Sequence, residues 1–139
     1  MNTVELIHQK TRLAYNIAAD KYHILFHNEM DEKEYDRNFL DTFSGLFKPE
    51  ADICDAGCGP SGHIAKYLRK KGFNIIGIDI SDRCVELATM KTPEIQFRRE
   101  DIMHMRFPDN HLDGIVSYYS IIHTPKKYIS KIFRNFTEY

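Results

Sequence analysis

The chain has little cysteine, no long apolar run and almost no net charge, and each shortage excludes something. Cys54, Cys58 and Cys84 are odd in number and form no Cys-x-x-Cys pair. That argues against a disulfide framework or a zinc site and for reduced thiols in the cytoplasm. No stretch approaches the 18 or so consecutive apolar residues of a membrane span. The opening Met1-Asn2-Thr3-Val4-Glu5 has neither the basic nor the apolar region of a signal peptide. Nineteen basic residues against twenty acidic ones leave a net charge of -1. Bulk charge therefore favours neither nucleic acid nor an anionic membrane as partner. Repeats, low-complexity tracts and long linkers are missing too.

What is present suffices for a folded core. The 139 residues are 42% hydrophobic and 12% aromatic, which excludes disorder. The length predicts a single domain spanning 1–139, able to bury roughly two-thirds of its unfolded surface. Within it, 1–47 reads as a helical cap and 48–139 as an α/β core.

In the cap, Leu6, Ile7, Leu13, Ala14, Ile17 and Ala18 recur at helical spacing and predict a helix over 4–26. A second helix is predicted over 32–47, with Asp31 and Glu34 spaced as a capping box and Tyr35, Phe39, Leu40, Phe43, Leu46 and Phe47 as its apolar stripe. Beyond Pro49 the period changes. Strands are predicted over 51–56, 74–80, 95–99 and 112–118, and helices over 61–71, 82–90 and 125–136. Ser81 is placed to cap the second of these helices and Gly72 to end the first. The run from Asn74 to Ile80 is nearly all apolar, as in a strand covered on both faces. Strands alternating with helices of about ten residues predict a doubly wound parallel sheet.

Gly57-Cys58-Gly59-Pro60-Ser61-Gly62 leaves the first strand and opens a helix. Glycines there allow a sharp turn and a close ligand approach. Asp79 closes the second strand, where a carboxylate suits a ribose diol. This much fits a nicotinamide dinucleotide and an oxidoreductase as well as any other adenosine cofactor. Two features favour a different ligand. Asp55, two residues before Gly57, would repel a pyrophosphate and attract an ammonium group. Asp101 and Ile102, after the third strand, suit the amino group and the face of an adenine. Asp55, Asp79 and Asp101 thus stand at the carboxyl ends of three successive strands, the rim where ligands bind in such sheets.

That pattern resembles the class I S-adenosylmethionine-dependent methyltransferases of the small-molecule type. The matching segments are Asp55-x-Gly57-x-Gly59, Gly77-Ile78-Asp79-Ile80-Ser81, Arg99-Glu100-Asp101-Ile102 and Phe107-Pro108-Asp109-x-x-Leu112-Asp113-Gly114-Ile115-Val116. Tyr15-Asn16-x-x-Ala19-x-x-Tyr22 is similar to the family's capping helix. The resemblance implies strand order 3-2-1-4 in a Rossmann-like core, with S-adenosyl-L-methionine as cofactor. It implies that Gly57, Cys58 and Gly59 lie against the methionine part, with Asp55 aiding its ammonium group. Asp79 would bind the ribose, and Ile80, Asp101 and Ile102 the adenine. Ser117 and Tyr118 would line the methionine end, with Tyr15 and Tyr22 closing over it. Blander roles compete: Asp55 bonding backbone amides, Asp79 as a helix cap, Asp101 in a plain loop, Tyr15 and Tyr22 as packing. Cys54 and Cys58 read as small fillers, and His23 and His27 as facing solvent.

The pattern departs from the family after the fourth strand, since strands five to seven have no counterpart. The expectation is therefore either a shortened fold whose fourth-strand edge is covered by a second copy or another chain, or a truncated version of a larger protein. A non-catalytic cofactor-binding or assembly module is an alternative to an enzyme. Methyl transfer needs no protein nucleophile, and a base helps only when the acceptor loses a proton. His123 is the one candidate. Ser117-Tyr118-Tyr119-Ser120 lacks the Asn/Asp-Pro-Pro-aromatic turn of enzymes that methylate DNA amino groups. The expected acceptor is a small molecule.

Overall fold

The computed structural model describes residues 2–139. The chain opens with three helices: α1 (Thr3–Phe26), α2 (Glu29–Glu32) and α3 (Glu34–Ser44). The four strands are β1 (Asp52–Ala56), β2 (Asn74–Asp79), β3 (Gln96–Arg99) and β4 (Gly114–Val116). Helices α4 (His63–Lys70) and α5 (Asp82–Lys91) connect the first three strands, and α6 (Lys126–Phe136) follows β4. The strands pair in parallel in the order β3-β2-β1-β4, as the resemblance implies. The order reverses between β1 and β4, and ligands bind such sheets outside the carboxyl ends at that switch point.

Alternation along the strands decides what each face carries. Ile53 and Asp55 point to one side of β1, and Cys54 and Ala56 to the other. The first side joins Ile75 and Phe97 to Leu40 of α3, Ala65 and Leu68 of α4 and Ala88 of α5. The second joins Cys54, Ala56 and Ile78 to Met105, with Phe107, Leu112, Phe136 and Tyr139 packed around them. All three cysteines are free and buried. No helix among the described residues is long and apolar enough to cross a membrane.

The cap departs from its sequence pattern in three ways. The helix expected over 32–47 is broken at Lys33, whose backbone leaves the helical region (φ -102, ψ 87). The Asp31–Glu34 capping box does not form. Instead the Arg37 guanidinium donates to the carbonyls of Met30 and Asp31 across the break. A capping box does form at Asn2 and Glu5, at the start of α1. The apolar stripe of α1 also faces outward: Leu13 is 59% and Ile17 86% exposed, while His8 and Ala19 are buried. The inner side of α1 meets polar groups. Asn16 accepts from Ser81 Oγ at 2.6 Å, and Arg12 and Arg83 pair with Asp82 and Asp20 across the contact with α5. On α3, Tyr35 is exposed and Leu40 is buried.

The core elements match their patterns within one residue at each end, apart from α4 and β4. Helix α4 starts at His63 because Ser61 and Gly62 belong to the preceding turn. Strand β4 is shorter than 112–118. Leu112 N–H donates to the Tyr139 carbonyl at 2.6 Å and so leaves the ladder, and Tyr119 turns the chain with φ +58.

Candidate functional site

A cavity of about 910 Å³, counting its open mouth, lies over the carboxyl ends of β1, β2 and β3 and under α1. Its floor is the glycine turn. Gly57 has φ +87 and Gly59 φ +68, both in the left-handed region. The amides of Gly57 and Cys58 donate to the Ile78 carbonyl at 2.8 and 2.9 Å, which ties the turn to β2. A Cβ on Gly59 would meet nothing within 4 Å, so the turn presents bare backbone to open space.

Asp79 ends β2 beside that turn. Its Oδ2 accepts from the Gly59 amide at 3.0 Å, and Oδ1 accepts from the Ser81 amide at 2.9 Å. Burial raises its pKa, against the pull of those amides. Each oxygen keeps capacity for a hydroxyl donor. The helix-cap role falls to Ser81, whose Oγ accepts from the Cys84 amide at 3.1 Å. Asp101 follows β3. Its Oδ1 accepts from the Met103 amide at 2.9 Å, and both its oxygens lie 2.8 Å from His8 Nδ1. Burial opposes ionisation of Asp101, but the His8 contact and the Met103 amide together outweigh it, holding the carboxyl below its ordinary range.

The cavity brings together Tyr15, Tyr22, Gly57, Cys58, Gly59, Asp79, Ile80, Asp101, Ile102, Tyr118 and His123. Tyr15 and Tyr22 meet edge to face with centroids 6.1 Å apart, and the Tyr15 hydroxyl lies 3.1 Å from His123 Nε2. Burial raises the pKa of both tyrosines. Cys58 is buried, which pushes its thiol well up and leaves it unreactive.

Two expected residues are not on the wall. Asp55 is 1% exposed and accepts from the Ala65 amide at 3.2 Å. Strand alternation sends it beneath the start of α4, so two carboxylates of the expected trio share the cavity and the third does not. Burial pushes Asp55 up to about 7. The choice against a pyrophosphate ligand therefore cannot rest on Asp55. Ser117 also lies off the wall, with its Oγ 2.5 Å from Ser120 Oγ. His23 is half-buried rather than free in solvent, its Nδ1 2.9 Å from Ser61 Oγ.

Several wall residues carry no motif that marks them in the sequence: His8, Glu29, His63, Tyr119, Ser120 and Thr124. Glu29 reaches His63 Nε2 at 3.2 Å and also pairs with Lys33. Only the fold joins these positions. The wall as a whole carries four carboxylates (Glu29, Asp79, Glu100, Asp101), three imidazoles and no lysine or arginine. Glu29 is paired with Lys33, and Glu100 with Arg98 and Arg106, just off the wall, so Asp79 and Asp101 are the carboxylates that face a ligand with no lysine or arginine partner, a pair that suits hydroxyl, amino or cationic groups better than a pyrophosphate.

Fold and cavity define a Rossmann-like protein with an open cavity at the switch point of its sheet. Residues 53–139 match the family described as Methyltransferase domain, and the chain belongs to that family, of the class I S-adenosylmethionine-dependent type. It is 30% identical over 95 residues to the sterol 24-C-methyltransferase of Yarrowia lipolytica, covering 63% of this chain and 25% of that protein. It is 35% identical over 82 residues to the 2-methyl-6-phytyl-1,4-hydroquinone methyltransferase of Synechocystis, covering 57% and 26% respectively. The chain thus spans about a quarter of the length of these curated relatives. Its fold is shared with the magnesium protoporphyrin IX methyltransferase of Synechocystis solved with bound S-adenosylhomocysteine. That match has a TM-score of 0.73 at 20% identity and covers 91% of this chain and 65% of the other.

Proposed function

We propose that the chain binds S-adenosyl-L-methionine in this cavity and transfers its methyl group to a small-molecule acceptor. The observation that carries the reading is the pair of carboxylates with no lysine or arginine partner, Asp79 and Asp101, set around a bare glycine turn at the switch point. It suits a ligand with a sulfonium, an ammonium group and a ribose.

Asp79 holds the ribose hydroxyls, and Ile80 and Ile102 pack against the adenine. Asp101 accepts from the adenine amino group. Gly57, Cys58 and Gly59 lie along the methionine part, with Tyr118 and the Glu29–His63 pair at the same end. Tyr15 and Tyr22, on the capping helix, exclude water. The bound cofactor supplies a methyl group already activated by the sulfonium charge. The protein contributes position and dryness, and aromatic rings near a cation add on the order of 1 kcal/mol. For an acceptor that loses a proton, His123 takes it, oriented by Tyr15.

Strand β4 is the outer strand of the sheet and pairs with β1 alone. An edge of this kind is normally covered, and a second copy or a partner chain is the proposed cover. Three buried free thiols support a reducing, cytoplasmic setting.

The test is release of S-adenosylhomocysteine by the purified chain over a panel of hydroxyl, amine and activated-carbon acceptors. Turnover with a member of the panel supports the enzyme. Tight cofactor binding with no turnover across the panel supports a binding or assembly module instead.

A further inference from the structure

His8 lies on α1 with 5% of its surface exposed, and its ring joins two cavity residues from distant parts of the chain. Nδ1 is 2.8 Å from each carboxylate oxygen of Asp101, and Nε2 is 3.1 Å from Thr124 Oγ1. Contact with a carboxylate requires a hydrogen on Nδ1, so Nδ1–H donates. Nε2 is then left to the Thr124 hydroxyl, which is itself buried. Both ring nitrogens are thereby committed, and the ring cannot turn without losing two bonds. Asp101 is constrained in the same way: Oδ1 also takes the Met103 amide, whereas Oδ2 takes His8 alone. Oδ2 is the oxygen with the greater remaining capacity to accept. A short carboxylate side chain left unheld would populate other orientations.

We propose that His8 is a positioning residue for the base of the cofactor: through Nδ1–H it fixes the Asp101 carboxylate so that one oxygen meets an exocyclic amino group, making the cavity selective for adenine over a 6-oxopurine. The proposal rests on the reading of the cavity as an S-adenosylmethionine site. A 6-oxopurine presents a carbonyl oxygen where adenine presents its amino group. Against a fixed carboxylate that replaces a charge-assisted hydrogen bond with repulsion. Sites built around such a bond discriminate strongly against a ligand that cannot make it.

The experiment is calorimetric titration with S-adenosylhomocysteine and with S-inosylhomocysteine, which differ at that position and transfer no methyl group. The wild-type chain is expected to favour the adenosyl compound roughly 10- to 100-fold, the worth of one charge-assisted bond. His8→Ala is expected to reduce the preference below about 3-fold. His8→Asn sets an amide N–H near the place of Nδ1 and restores it. His8→Gln sets its amide near Nε2, keeps the Thr124 contact and does not restore it. Melting temperatures are recorded alongside, because a mere tether for α1 would move stability without moving the ratio. A wild-type preference retained in His8→Ala overturns the proposal. If that variant does not fold, equal ratios for the Asn and Gln variants overturn it. A wild-type chain that binds neither compound overturns the reading of the cavity instead.

Discussion

Ser120 packs directly on Gly57: a Cβ at Gly57 would lie 2.0 Å from the Ser120 Cβ. The turn after β1 and the loop after β4 are thereby locked together at the switch point. The same loop carries Tyr118 and Tyr119 to the wall, with Tyr119 at φ +58. Non-glycine residues held there mark places where surrounding packing overrides local preference. Gly57→Ala meets both the clash and the positive φ of +87. It is expected to destabilise the chain by about 2 kcal/mol or more and to abolish cofactor binding. Denaturant unfolding and calorimetry check the two effects.

Asp79 is held by two backbone amides, and its remaining acceptor capacity is assigned to the ribose. Asp79→Asn replaces an anionic acceptor with an amide whose nitrogen faces an N–H donor. Binding of S-adenosylhomocysteine should weaken roughly 10- to 100-fold, from hydrogen bonds to a charged group worth about 1.5–3 kcal/mol. Calorimetric titration of the variant reads this directly. Affinity within threefold of wild type would contradict the assignment.

Asp55 gives a pH signature for the fold. Its folded pKa, about 7, stands above its ordinary value of 3.8 because burial penalises the charge. The folded state therefore holds a proton that the unfolded state releases at lower pH. The resulting stability is full below about pH 4 and is lost as pH rises toward 7, at up to about 1.4 kcal/mol per pH unit. Urea unfolding at pH 5 and pH 8 should show the wild type weaker at pH 8. Asp55→Asn should remove most of that slope.

His123 and Tyr15 face each other across the cavity wall at 3.1 Å. With a hydroxyl acceptor, His123→Ala is expected to lower turnover about 100-fold, the scale of general-base assistance. Affinity for S-adenosylhomocysteine should stay within threefold. Steady-state kinetics and calorimetry on the same preparation separate the two. Equal losses in both would make His123 a wall residue only.

The core was legible in the sequence because its signals are local. Gly57 and Gly59 mark a turn, Asn74–Ile80 is a run that only a doubly covered strand explains, and Ser81 caps its helix. Asp79 and Asp101 follow from standing at strand ends. Asp55 was misplaced for a reason that alternation already contained: it shares a face with Ile53, and that face meets α4. The cap was less legible. Leu13 and Ile17 have the periodicity of a buried stripe, yet the inner side of α1 meets a polar cavity and the Ser81–Arg83 end of α5, so the polar side turns inward. His8, Glu29 and Thr124 carried no signal. Their partners lie tens of residues away, and no spacing rule connects Asp101 to a histidine 93 positions earlier.

The most direct measurement is a side-by-side titration of the purified chain with S-adenosylmethionine and NAD at one ionic strength. An acidic wall arranged for a sulfonium and an adenosine predicts saturable one-to-one binding of the first and no heat from the second. Saturable binding of NAD, with S-adenosylmethionine silent, would contradict it.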